Sequence, residues 1–118
     1  MSEEVDEYAV KNAIATITLN RPEKANTLRW EVIEALDRRL AQANSDPEVK
    51  VIVLEGAGDN FCGGFDFSGG LEHYAEITEQ DYDPGLDVQL VTDHYLSYVQ
   101  KFMGLWRGSK PTIAKIQG

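Results

Sequence analysis

From Ala13 to Leu19 polar and apolar residues alternate in a tract rich in β-branched side chains, and a period of two predicts a strand. Ala15, Ile17 and Leu19 share its buried face. Tyr8 to Val10 precedes it, with Lys11-Asn12 as the turn, so the chain opens as a β-hairpin. Asn20-Arg21-Pro22-Glu23-Lys24 ends the strand, because proline has no N–H and restricts the residue before it. The period then lengthens. Ile33, Leu36, Leu40 and Ala43 recur at three and four residues, which predicts a helix from about Leu28, with Asn26 or Thr27 as N-cap and Asp46-Pro47 as its stop. Val49 to Leu54 is almost continuously apolar and predicts a central parallel strand buried on both faces. Strand, helix, strand in this order implies a right-handed crossover.

Beyond Leu54 the pattern changes character. Glu55 to Gly70 holds six glycines in sixteen residues, a backbone that a ligand can approach closely. Leu71 to Gln100 carries seven acids and no Lys or Arg, and is expected to be mobile. Val88, Val91, Tyr95, Tyr98, Val99, Phe102, Leu105 and Trp106 restore the helical period and predict one long amphipathic helix ending near Gly108. Lys110-Pro111 then leads into a last strand, Thr112 to Ile116.

Composition narrows the function classes. At 118 residues the chain holds one modest core and is short for a parallel α/β enzyme. A net charge of -9 disfavours nucleic acid and anionic membrane, and leaves any phosphate-bearing ligand dependent on local cations. No apolar run is long enough to span a membrane, and Met1-Ser2-Glu3-Glu4 has neither the cationic nor the apolar part of a signal peptide, so a cytoplasmic location is expected. The single cysteine, Cys62, forms no internal disulfide and fits a reducing compartment.

Four patches in order carry a resemblance: Ala13 to Leu19 with Asn20-Arg21-Pro22-Glu23-Lys24-Ala25-Asn26; Val51 to Gly56; Phe61-Cys62-Gly63-Gly64-Phe65-Asp66-Phe67; and Lys110 to Gly118. Together they resemble the N-terminal portion of the crotonase (enoyl-CoA hydratase/isomerase) family. The resemblance implies an α/β fold of stacked β-β-α turns, of which residues 1–118 form the N-terminal half, with 71–87 an acidic, mobile pocket segment and no second domain. It implies an acyl-CoA substrate, coenzyme A entering only as part of the thioester, no permanent cofactor, and a homotrimer or dimer of trimers. The family's shared chemistry is stabilisation of a thioester enolate by two backbone N–H groups. By its Phe-x-(Ala/Gly)-Gly-x-Asp pattern the first donor is the Phe65 N–H. The second donor, a glycine, and the acid/base carboxylates of family hydratases fall beyond Gly118. Arg21, Lys24, Ala25, Cys62, Gly63, Gly64, Phe65 and Asp66 become candidates for contact with substrate or CoA. Gly63 stands where the family often has Ala, and Phe65 where hydratases often have Ala.

Rival readings are weaker. The glycine loop lacks the third glycine of a dinucleotide fingerprint, and no Gly-Lys-Ser/Thr occurs. Cys62 reads as a small hydrophobe rather than a nucleophile, and His73 and His94 have no metal-ligand spacing, so no metal is expected. Glu72, Glu76 and Glu79 read as a solvated face, Asp66 as either a turn former or a group that orients something in the pocket, and Trp30 and Trp106 as packing residues. Ser68 and Ser97 lack the context of a Clp-type serine nucleophile. The alternative to an enzyme is a truncated, non-catalytic module for binding or assembly.

Overall fold

The computed structural model describes residues 6–66 and 97–118 and, between them, Gly85, Val88, Gln89, Thr92, Asp93 and His94. Strands β1 (Asp6–Lys11), β2 (Ile14–Leu19), β3 (Val51–Gly56) and β4 (Thr112–Lys115) lie side by side in that order. β1 and β2 are antiparallel; β2, β3 and β4 are parallel. Helix α1 (Trp30–Ser45) crosses from β2 to β3, and two short helices, α2 (Tyr98–Phe102) and α3 (Gly104–Arg107), precede β4. The result is one β-β-α turn, β1-β2-α1, followed by β3 and β4 in the same open sheet.

The hairpin forms where the alternation predicts it. Asn12 and Ala13 both adopt positive φ (53° and 66°), the geometry that matches a two-residue turn to the twist of its strands. Ala15, Ile17 and Leu19 are buried against α1, whose Val32, Leu36, Leu40 and Ala43 close the core with Val49, Ile52 and Leu54. Burying such a face supplies about 25 cal/mol per Å² of apolar surface removed from water.

Three sequence expectations change. Helix α1 starts at Trp30 with Arg29 at the N-cap, because Leu28 is drawn into a bridge with Phe65 and Asn26 turns its side chain elsewhere. β3 is buried on one face only, with Ile52 and Leu54 inward and Val51, Val53 and Glu55 partly exposed. The long amphipathic helix is interrupted: Asp93 and His94 are not helical, and Ser97 caps a new helix by accepting from the Gln100 N–H. Val99 and Trp106 consequently face outward. The acidic segment 71–87, Gly85 apart, and with it His73 and the Glu72, Glu76 and Glu79 face, lies outside the described residues.

Candidate functional site

The glycine-rich connection leaves β3 through a turn with no room for a side chain. A Cβ on Gly56 would sit 2.3 Å from the Phe61 carbonyl oxygen and 2.5 Å from that of Asn60. Asn26, fully buried and in left-handed conformation (φ 54°), donates from Nδ2 to the Ala57 and Asn60 carbonyls (2.9 and 2.8 Å). Its Oδ1 accepts from the Arg21 N–H at 2.8 Å. From the other side Gln117 Nε2 donates to the Gly56 and Gly58 carbonyls, each at 3.0 Å, while the Gln117 carbonyl accepts from the Phe61 N–H.

The chain then runs beside residues 25–28. Gly63 donates to the Ala25 carbonyl (2.9 Å), Leu28 donates to the Gly64 carbonyl (2.7 Å), and Asp66 donates to the Leu28 carbonyl (2.9 Å). Gly64 takes φ 91°, which side-chain-bearing residues rarely adopt. Because the bridge to Leu28 uses the groups flanking Phe65, the Phe65 N–H points away from Leu28. It makes no hydrogen bond among the described residues.

The Phe65 ring, two-fifths exposed, meets Tyr98 and Phe102 edge-on at 5.5 and 6.2 Å. Tyr98 in turn meets Trp30 at 4.9 Å. Behind this wall, buried Lys101 donates to the His94 carbonyl and lies 4.9 Å over the Trp30 ring, a cation–π contact.

Arg21 and Asp66 form an ion pair at 3.3 Å with side chains 12% and 10% exposed, and Arg21 also donates to the Thr27 carbonyl at 2.7 Å. The guanidinium therefore faces inward and ties the 20–27 turn to the end of the site loop. Lys24 is exposed at the end of the short 3-10 turn Pro22–Lys24, next to left-handed Ala25. Cys62 is half-buried, and its Sγ accepts from the Gly64 N–H at 3.4 Å. Arg21, Ala25, Gly63, Gly64, Phe65 and Asp66 are thus brought together, with Lys24 and Cys62 at the rim. Among the described residues no group of three His, Cys, Asp or Glu could hold a metal, and His94 pairs with Asp37 at 2.9 Å.

Sequence reading missed Asn26 and Gln117 as organisers of the loop. Asn26 was one of two candidates for a helix cap, and Gln117 followed the last strand with no role assigned.

Residues 9–118 match the enoyl-CoA hydratase/isomerase family model. The chain is 42% identical over 107 residues to the Mycobacterium tuberculosis protein named "Probable enoyl-CoA hydratase EchA12", covering 89% of this chain and 35% of that one. It is 30% identical over 109 residues to the 1,2-epoxyphenylacetyl-CoA isomerase of Escherichia coli, covering 92% and 38%. The crystal structure of an enoyl-CoA hydratase from Mycobacterium smegmatis superposes with a TM-score of 0.75 at 31% identity, over 98% of this chain and 40% of that one. The chain therefore spans little more than a third of the length of these relatives.

Proposed function

The chain belongs to the enoyl-CoA hydratase/isomerase family, and on that premise we propose that it forms the oxyanion-donor half of an acyl-CoA-processing site of hydratase/isomerase type. The observation that carries this reading is the Phe65 N–H, flanked by the hydrogen bonds that Gly64 and Asp66 make to Leu28 and left without a partner among the described residues. The thioester oxygen accepts from it; as charge moves onto that oxygen in the enolate, a fixed dipole contributes more than in the ground state. The second donor and the acid/base groups come from chain beyond residue 118, as the family pattern implies. CoA runs along Ala25, Cys62, Gly63 and Gly64, with the exposed Lys24 ammonium meeting phosphate. The inward turn of Arg21 toward Asp66 favours bracing of this wall over direct phosphate contact. The reading includes a cytoplasmic homotrimer or hexamer that takes CoA only as substrate. No described helix is long and apolar enough to cross a membrane.

The test compares Phe65→Ala with Phe65→Pro in crotonyl-CoA turnover by a protein that also carries the second donor and the acid/base groups. Alanine keeps the N–H; proline deletes it while sparing the Gly64 and Asp66 bonds to Leu28. The proline variant should lose about a hundredfold to a thousandfold in kcat relative to the alanine variant. Equal rates in folded proteins reject the assignment.

A second reading, a binding or assembly module, is favoured by the exposed Ile14, Ile113 and Trp106. Cooperative unfolding of a chain of this mass with no turnover of crotonyl-CoA supports it.

A further inference from the structure

We infer that Asn26 and Gln117 are positioning residues, two carboxamides that grip the β3 turn from opposite sides and set where the Phe65 N–H stands. The inference rests on the reading of Phe65 as the oxyanion donor. Its basis is an inventory of carbonyls. Within five residues, Gly56, Ala57, Gly58 and Asn60 each have a carbonyl that accepts from a side-chain amide, two from Gln117 and two from Asn26. Connections between elements ordinarily leave such groups to water. Here one –NH₂ group supplies both bonds on each side, which neither a hydroxyl nor a carboxylate can do.

Both grips extend beyond the turn. Gln117 holds Gly56 and Gly58 with its side chain and Phe61 with its backbone carbonyl, so the segment just after β4 fixes the loop four residues before Phe65. Asn26 sits between Ala25, which accepts from Gly63, and Leu28, which bridges Phe65. A shift of Asn26 is therefore passed to Phe65 along two routes. Neither side chain is placed to touch the thioester; each acts through the backbone it holds.

Gln117→Met keeps length and removes both donors without adding charge. Asn26→Asp keeps shape and tolerates the left-handed backbone, while also losing both donors. In the full chain, amide exchange of Phe61 to Asp66 should quicken about tenfold in Gln117→Met and more in Asn26→Asp, since local opening sets exchange. Turnover of crotonyl-CoA per folded molecule should fall about tenfold in kcat with KM within about twofold, the signature of a lost transition-state interaction. Wild-type exchange and kcat in Gln117→Met overturn the inference, as does activity that falls only with the folded fraction. If Asn26→Asp does not fold, Gln117→Met decides alone. If Phe65→Ala and Phe65→Pro turn over crotonyl-CoA equally, the reading of Phe65 fails, while the exchange measurement still decides whether the two carboxamides hold the loop.

Discussion

Tyr8 stands opposite Ile17 on the core side of the hairpin, with the Arg39 guanidinium 5.4 Å from its ring. Its hydroxyl is enclosed without a hydrogen-bond partner among the described residues. Burial raises its pKa above the ordinary 10.0, the charge of Asp46 adds to this, and Arg39 opposes it. The raised value means that the folded state holds its proton more tightly than the unfolded chain. This contribution is intact below pH 10 and is lost as pH climbs from there through the folded value. Tyr8→Phe should flatten that alkaline loss in urea titrations and add about 1 kcal/mol at neutral pH, because an unsatisfied hydroxyl is removed. The Arg21–Asp66 pair makes the opposite case. Truncating either partner to alanine should cost about 2 kcal/mol, less than a fully enclosed pair because one-tenth exposure admits water. The double variant should lose less than the sum of the singles, and strict additivity in denaturant midpoints excludes coupling. The placing of Gly63, Gly64 and Phe65 in one glycine-rich loop after β3 was legible in the sequence. The partners of Asn26 and Gln117 were not, since a carboxamide's bonds are set by where the loop carbonyls come to lie.

At the scale of elements, the turn at Asn12-Ala13 holds an alanine where both φ angles are positive, a conformation that burdens a Cβ by roughly 1 kcal/mol. Ala13→Gly should raise the unfolding free energy by about that amount, measured as a higher urea midpoint at unchanged slope. The hairpin and α1 were legible because each obeys one period over its length, and β3 and β4 because short apolar runs are bounded there by proline or glycine. Two features were not. Periodicity from Val88 to Trp106 records a helical face but is blind to a break, and Ser97 starts a new helix within it. For β3, an apolar run gives no sign of which face meets a neighbour, and here only Ile52 and Leu54 do.

Across the whole molecule, helices cover one side of the sheet among the described residues, and the other side leaves Ile14 and Ile113 exposed beside partly exposed Val51 and Val53. Apolar surface of this kind favours association, while a charge of -9 opposes it. Sedimentation of the 118-residue chain should show self-association that grows with salt, and Ile113→Thr, which leaves the charge unchanged, should weaken it. Insensitivity to that substitution would assign the association elsewhere. The two tryptophans divide the same molecule optically. Trp30 is packed between Tyr98 and the Lys101 ammonium behind the Phe65 ring, whereas Trp106 is 83% exposed. A Trp106→Phe protein would consequently emit from Trp30 alone, giving a fluorescent reporter one ring removed from the aromatic neighbour of the donor loop.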